Sequence, residues 1–167
     1  MKPNTDCKNQ RALKAIALYF SFIIIVSCNP TVGVFEKNIA IPNQEWNSQF
    51  KPEIQFEVTD TAALYNIYVV LRHTDAYRFN NLWLNIYTQA PGDSSGSKQS
   101  LDLRLANDEK GWLGSGMDDI YEQRILVTRQ PTPLARAGVY KFKLENIMRE
   151  DPLTGVMNAG IRVEKAP

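Results

Sequence analysis

Short segments in which apolar and polar residues alternate are the feature that most constrains the fold of this chain. Residues 65–72 and 82–87 are two strongly patterned segments, with apolar side chains at every second position of both. Because successive side chains of a β-strand point to opposite faces, this period of two predicts half-buried strands. The second segment begins ten residues after the first one ends, which favours an antiparallel pair of the two.

Six further segments alternate in the same way, at residues 34–41, 54–59, 101–105, 123–127, 138–144 and 159–164. No segment after Cys28 has the apolar spacing of an amphipathic helix. A strand with one wet face must bury the other, and two antiparallel sheets packed face to face satisfy this requirement for about eight short strands. The sequence therefore predicts an all-β fold, an antiparallel β-sandwich of jelly-roll or immunoglobulin-like topology.

The same alternation predicts which side chains face the interior of the sandwich. Each of five residues lies on the apolar face of its segment, and we expect them in the core: Leu84, Ile86, Tyr140, Phe142 and Ile161.

Length and charge limit the domain count and the ligand class. At 167 residues and 44% apolar composition, the chain supports one globular domain, predicted at residues 34–167. Of the 19 Lys and Arg and the 18 Asp and Glu, four bases and one acid lie in the first 27 residues, which leaves 15 bases against 17 acids. Such a weakly acidic domain lacks the clustered cations that nucleic-acid phosphates require, so nucleic acid is excluded as a partner.

The amino terminus has the pattern of a lipoprotein signal peptide, predicted at residues 1–27. A basic stretch precedes an apolar run of twelve residues, and Ser27 and Cys28 follow. Twelve residues form only about 18 Å of helix, whereas roughly 20 residues span a bilayer, so we expect this segment to be removed. Ile25, Ser27 and Cys28 resemble the bacterial lipobox, which predicts lipidation of Cys28 and a short lipidated tether at residues 28–33.

Lipidation decides the predicted location. Diacylation anchors a protein firmly, at about 0.8 kcal/mol for each buried CH₂. Asn29 stands where the inner-membrane retention signal of enterobacteria has Asp, and no acidic run of the kind that exports some lipoproteins to the cell surface follows. We therefore expect a lipid anchor in the outer membrane, on its periplasmic face. The other cysteine, Cys7, lies in the removed segment, so no disulfide is expected in the mature domain.

The inventory of reactive side chains argues against an enzyme. His73 is the only histidine, and the mature chain has no cysteine nucleophile, so we expect a loop or packing histidine rather than a catalytic base. The acids Asp108, Glu109, Asp118 and Asp119 leave a calcium site as an alternative, but acids in turns are more often solvated. No catalytic residue, metal or cofactor is predicted.

Three glycines in six residues, Gly111, Gly114 and Gly116, mark an unusual loop. A phosphate-binding loop would need a strand-to-helix unit and a following lysine, which this segment does not have. We expect these glycines to allow close backbone packing or a positive φ.

Another loop, at residues 72–81, concentrates polar and aromatic side chains. With a tryptophan from the glycine loop, it supplies the candidate residues for binding a partner or ligand: Arg72, His73, Tyr77, Phe79, Asn80, Asn81 and Trp112. Loops of a sandwich gather at one end, and exposed aromatic rings with Arg and Asn are typical of protein or carbohydrate interfaces. The alternative is that these rings belong to the core, and Trp83 is assigned to the core.

Several blocks of the sequence resemble one known family. They are RHTDAYRFNNLWL at residues 72–84, GWLGSGMDDIYE at 111–122 and YKFKLENIMREDPLTGVMNAGIRVEK at 140–165, in addition to the lipobox at Cys28. Together they resemble the gliding-motility lipoprotein family GldH of Bacteroidetes over essentially the whole mature domain. The resemblance implies a non-enzymatic outer-membrane lipoprotein connected with gliding motility and with the type IX secretion that shares its machinery. Similar proteins also occur in gut and oral Bacteroidetes that do not glide.

We therefore expect an interaction component of an envelope machine, with other envelope proteins as partners and the membrane bound through the lipid. A carbohydrate-binding module on the outer membrane is the first alternative. It would need two or three coplanar exposed rings, whereas a protein partner needs an apolar centre with a polar rim. A hydrolase is the second alternative, and the missing acid, base and nucleophile argue against it.

The lipobox yields a direct prediction. Cys28→Ala removes the thiol that accepts the lipid, so the precursor should stay unlipidated and be lost from the detergent-extracted outer membrane. Metabolic labelling with palmitate checks this, and Cys7→Ala is the matched control that should keep its label. Palmitate incorporation that persists in Cys28→Ala contradicts the prediction.

Overall fold

The computed structural model describes residues 33–167, which form antiparallel β-sheets without an α-helix. The predicted signal peptide at 1–27, Cys28 and all of the predicted tether except Gly33 lie outside the described residues. Within the described part of the chain, no helix is long and apolar enough to cross a membrane. The predicted all-β, antiparallel class is confirmed, whereas the jelly-roll or immunoglobulin-like topology stays a prediction.

The strands in chain order are β1 (Val34–Ala40), β2 (Glu45–Trp46), β3 (Glu53–Val58), β4 (Leu64–Thr74), β5 (Asn81–Gln89), β6 (Ser97–Arg104), β7 (Ala106–Asn107), β8 (Gly111–Trp112), β9 (Ser115–Met117), β10 (Ile120–Leu126), β11 (Thr132–Pro133), β12 (Gly138–Asn146), β13 (Leu153–Thr154) and β14 (Val156–Lys165). A 3-10 turn at Pro42–Gln44 follows β1. Residues 33–167 thus contain fourteen strands against the predicted eight or so. Six of them have only two or three residues, too few for an alternating pattern to be recognised.

Two larger sheets and two small strand pairs account for these strands. The first sheet has the order β1-β14-β4-β10-β9, with β11 also paired to β4, and the second sheet has the order β3-β12-β5-β6. β2 pairs with β13, and β7 pairs with β8 in a short hairpin.

The apolar faces of both sheets meet in one hydrophobic core. Ile161 comes from the first sheet, and Leu84, Ile86, Tyr140 and Phe142 come from the second. All five are at most 5% exposed, which confirms the prediction that they face inward. Removing these side chains from water supplies the main stabilising free energy of such a fold.

The predicted pairing of residues 65–72 with residues 82–87 is wrong. β4 and β5 lie in different sheets, because β4 is flanked by β14 and β10, whereas β5 is flanked by β12 and β6. Residues 75–80 carry the chain from one sheet to the other. Alternation reports the two faces of a strand but not its neighbours, and these neighbours come from distant parts of the chain, as with Val163 beside Ile67.

The strands run between two distinct ends of the domain. β1 begins and β14 ends side by side, where the Lys165 N–H donates to the Gly33 carbonyl at 2.8 Å. We call this the tether end, because the chain toward Cys28 leaves from Gly33. The β3–β4 and β5–β6 loops lie at the tether end, and the β4–β5 and β12–β13 loops lie at the opposite, distal end.

The core register predicts the cost of emptying one position. Leu84→Ala should lower the free energy of unfolding by about 2 to 5 kcal/mol, because Leu84 is fully buried and the cavity cannot close completely. Leu126→Ala is the matched control, since Leu126 is 48% exposed on β10 and should change stability by about 0.5 kcal/mol at most. Urea denaturation of both variants checks this, and equal midpoints would show that the register is wrong.

Candidate functional site

The candidate residues predicted in one loop fall into separate places in the structure. β4 extends through Thr74, so Arg72 and His73 are strand residues whose side chains point to opposite faces of the first sheet. The loop itself is limited to residues 75–80, in which the side chain of Asn80 is exposed. The predicted extent of the loop, residues 72–81, is therefore wrong, because β4 continues further than the apolar alternation suggests. The binding role of these residues stays a prediction.

Arg72 belongs to a line of charged side chains on the outer face of the first sheet. Its guanidinium Nη2 lies 2.7 Å from Glu122 Oε2 on the neighbouring β10. Successive ion pairs continue this line across β10, β1 and β14, and we call it the charge ladder: Arg72, Glu122, Arg124, Glu36, Arg162 and Glu164. Three bases face three acids, so the ladder is neutral, and Arg72 already has a partner within the chain.

His73 points the other way, into a cluster of aromatic rings. Its ring centroid lies 4.4 Å from Trp112, 5.4 Å from Tyr77 and 5.6 Å from Tyr121. Phe79 extends the cluster with an edge-on contact to Tyr77 at 5.8 Å. His73 and Tyr77 are 0% and 2% exposed, so the expectation of an exposed Tyr77 is wrong, and the alternative that rings of this loop belong to the core holds for Tyr77.

Hydrogen bonds hold both nitrogens of the His73 ring. Nδ1 lies 2.9 Å from the Thr74 carbonyl oxygen, which can only accept, and Nε2 lies 3.4 Å from the amide nitrogen of Gln123. This arrangement suits a neutral ring that carries its proton on Nδ1. Burial lowers the pKa of His73, and the hydrogen bond to Thr74 opposes this effect only in part. His73 is thus a packing residue, as the sequence predicts.

The glycine loop lets β9 approach the aromatic cluster closely. A Cβ on Gly116 would lie 2.9 Å from the Tyr121 ring, and a Cβ on Gly114 would lie 2.3 Å from the Glu122 carbonyl oxygen. Gly111 has a φ of 66°, which favours glycine. The prediction of close packing or a positive φ is confirmed. Among the described residues, no group of three His, Cys, Asp or Glu side chains is placed to hold a metal ion.

An apolar groove opens on the outer face of the second sheet near the distal end. We call it the distal groove, and it has a volume of about 520 Å³ and is lined by Phe79, Asn81, Trp83, Ile147, Met148 and Arg149. Trp83 is 45% exposed and Ile147 is 39% exposed, so the assignment of Trp83 to the core is wrong. The physical reason is the alternation of β5, in which Leu82 and Leu84 face inward and the residue between them must face outward.

The segment after β12 forms one wall of the distal groove by folding against β5. The Ile147 N–H donates to the Trp83 carbonyl at 3.1 Å, and the Trp83 N–H donates to the sulfur of Met148 at 3.2 Å. Asn146 fixes the start of this wall, because its Oδ1 accepts the Met148 N–H at 2.8 Å. Of the candidate residues, Phe79 and Asn81 line this groove. Trp83 was not among the candidates, and the alternation of β5 is the sequence signal that could have identified it.

A second cavity lies on the same sheet face, closer to the tether end. We call it the lysine pocket, and it has a volume of about 330 Å³ and is lined by Lys51, Glu53, Tyr87, Gln89, Gly96, Lys141 and Lys143. Lys141 stands beside Gln89, and Lys143 stands between Glu53 and Tyr87 in the strand register. Sequence reasoning missed this cavity, because its residues come from four separate segments.

Glu145 organises the side chains next to the lysine pocket. Its carboxylate lies 2.5 Å from Lys51 Nζ and accepts hydrogen bonds from the Tyr87 hydroxyl at 2.6 Å and the Asn85 amide at 2.7 Å. These partners, Lys51 first, lower the pKa of Glu145 from 4.5 to about 2. The ionised carboxylate therefore fixes the positions of Lys51 and Tyr87 at neutral pH.

The lowered pKa of Glu145 predicts a pH dependence of stability. A carboxyl with a lower pKa in the folded state stabilises the fold above its unfolded pKa, and this contribution is lost as the pH falls from about 4.5 toward 2. Glu145→Gln should therefore differ most from the wild type in free energy of unfolding at pH 5 to 7 and least near pH 2. Denaturation across this range checks the prediction. Glu57→Gln, at an exposed position, is the control, and a constant difference at all pH values would contradict the prediction.

Comparisons with known proteins agree on one family. A sequence profile of the GldH lipoprotein family matches residues 33–163. The gliding motility lipoprotein GldH homolog of Christiangramia forsetii is 24% identical over 163 residues, which cover 93% of this chain and 97% of that protein. The gliding motility lipoprotein GldH of Flavobacterium johnsoniae is 25% identical over 155 residues, which cover 89% of this chain and 94% of that protein.

Among solved structures, the infectious bursal disease virus Gx strain shows similarity at a TM-score of 0.30 and 12% identity, over 83% of this chain and 33% of that one. This similarity is too weak to support any statement about fold or function. The sequence profile spans nearly all of the described residues, from the first strand to the last, and the two bacterial relatives align along almost their entire length. The chain therefore belongs to the GldH lipoprotein family.

Proposed function

We propose that this gliding-motility lipoprotein is a non-enzymatic, lipid-anchored component of the outer membrane that binds another envelope protein of the gliding motility and type IX secretion machinery. The observation that carries the proposal is the distal groove, in which Trp83 and Ile147 expose apolar surface to solvent. Binding of a partner removes such apolar surface from water, and this burial stabilises the complex.

The composition of the distal groove favours a protein as its occupant. Trp83, Ile147, Met148 and Phe79 supply an apolar centre, and Asn81 and Arg149 supply polar groups at its border. This division into an apolar centre and a polar rim is typical of protein interfaces, where buried Trp side chains often dominate the binding energy. A carbohydrate platform would use several exposed rings side by side, whereas Trp83 stacks on no other ring in the described part of the chain.

The position of the distal groove also suits a tethered protein. Trp83 lies six residues along β5 from Gln89, which corresponds to roughly 20 Å toward the distal end. The tether from Cys28 to Gly33 spans at most about 18 Å. A domain held at Gly33 therefore presents the groove away from the tether end, where a neighbouring envelope protein can reach it.

Truncation of the central side chain tests this proposal. Trp83→Ala should weaken partner binding by about 2 kcal/mol, roughly 30-fold in Kd, because it removes the largest exposed apolar side chain of the groove. Leu126→Ala is the matched control, since it truncates an exposed side chain on the outer face of the first sheet. Affinity purification from cross-linked cells with quantitative mass spectrometry measures the envelope proteins recovered with each variant.

Thermal unfolding of both variants accompanies this measurement, because a loss of fold would also reduce recovery. The proposal predicts that Trp83→Ala keeps its thermal midpoint and loses specific envelope proteins that the control retains. Equal recovery with both variants would overturn it. A pull-down with insoluble polysaccharides runs in parallel, and binding that depends on Trp83 in that assay would replace the protein partner by a carbohydrate.

A further inference from the structure

The lysine pocket has a different chemistry from the distal groove and serves a separate role. We propose that it is a binding site for a small phosphorylated sugar, in which Lys141 and Lys143 hold the phosphate and Tyr87 and Gln89 contact the sugar. This inference does not rest on the protein partner proposed above, because none of these four residues lines the distal groove.

The charge of the pocket points to an anion. Lys51, Lys141 and Lys143 line it, together with the carboxylate of Glu53. The Glu145 carboxylate beside the pocket neutralises Lys51, which leaves Lys141 and Lys143 to bind an anion. Lys141 forms no ion pair among residues 33–167, and Lys143 has only a long contact of 3.5 Å to Glu53. These positive charges are concentrated in a domain with an acidic balance, so the pocket is locally opposite in sign to the domain as a whole.

The surroundings hold the pocket open in a defined shape. The Glu145 carboxylate holds Lys51 at 2.5 Å and the Tyr87 hydroxyl at 2.6 Å, so these two lining side chains keep defined positions. Lys98 lies over the Tyr87 ring at 5.8 Å and forms no ion pair among the described residues, which adds a further cation to the border. Ammonium groups on strands are common phosphate ligands, because they donate to any oxygen of the tetrahedral anion.

The size of the pocket and its polar lining indicate a ligand larger than phosphate. A volume of about 330 Å³ lies at the lower end of the range for small-molecule pockets, which is roughly 300 to 1,000 Å³, and leaves room for one sugar ring beside the anion. The Gln89 amide nitrogen donates to the Asp93 carbonyl at 2.6 Å, which orients the amide oxygen as an acceptor for a hydroxyl group. The Tyr87 ring supplies an aromatic surface at the same site.

The ligand of the pocket can come from two sources, and the position of the pocket is compatible with a membrane lipid as one of them. β5 ends with Gln89 at the tether end, so the pocket lies on the half of the domain from which the tether leaves. A phosphorylated sugar can be the headgroup of a membrane glycolipid or a free metabolite, and both present the same chemistry to the lysines. The experiment separates these sources.

Calorimetric titration of the full-length protein in a polyoxyethylene detergent tests the site. Glucose 6-phosphate should bind at least tenfold more tightly than glucose or inorganic phosphate, and added salt should weaken this binding. Lys141→Glu and Lys143→Glu should each weaken it at least tenfold, and Lys141→Gln serves where a glutamate variant fails to fold. Lys110→Glu, in the exposed β7–β8 turn, is the matched charge control and should bind as the wild type does.

Several results would overturn the inference: absence of wild-type binding, equal binding of glucose or inorganic phosphate, or unchanged binding in both Lys141 variants. Trp83→Ala should leave glucose 6-phosphate binding intact, so failure of this site and failure of the distal groove are distinguishable.

A competition experiment separates the two sources of the ligand. Phosphatidylcholine vesicles that contain lipid A, intact or dephosphorylated, compete with glucose 6-phosphate for the site. Displacement by the intact form alone assigns the site to a headgroup, and displacement by neither form assigns it to a soluble sugar phosphate.

Discussion

Burial of one face of the central strands β4, β5, β12 and β14 in a common core is the constraint on which the rest of this structure depends. Leu84, Phe142 and Ile161 are fully enclosed between the two sheets, so each neighbouring residue along the same strand is forced outward. The aromatic cluster around His73 fills the core near the distal end in the same way. Any group that meets another molecule must therefore lie on an outer sheet face or in a loop.

The two outer faces differ in what they offer. On the first sheet, the charge ladder pairs each of its bases with an acid. On the second sheet, exposed Trp83 and the unpaired Lys141 stand about 20 Å apart along neighbouring strands. Both proposals therefore concern the outer face of the second sheet, which carries the distal groove and the lysine pocket.

Local periodicity was enough to predict the all-β class and the burial of Leu84, Ile86 and Tyr140, because the alternation of apolar and polar residues within one strand indicates which face is buried. The neighbours of β4 and β5 could not be predicted in this way, since strand pairing joins residues far apart in sequence. The predicted extent of the candidate loop was wrong for a related reason. Composition indicated that its residues were unusual, but only the structure shows that Arg72 and His73 point to opposite faces.

The pairing of the first and last strands has a mechanical consequence for a protein held by its amino terminus. β1 runs antiparallel to β14 over seven residue pairs, from Val34 beside Glu164 to Ala40 beside Asn158. A load between Gly33 and a partner at the distal end acts along these strands, while their hydrogen bonds lie across them. All the bonds are then sheared together rather than opened one by one, and the Glu36–Arg162 ion pair resists the same slip. The strand order thus places the pairing of β1 with β14 in shear when the domain is pulled between Gly33 and its distal end.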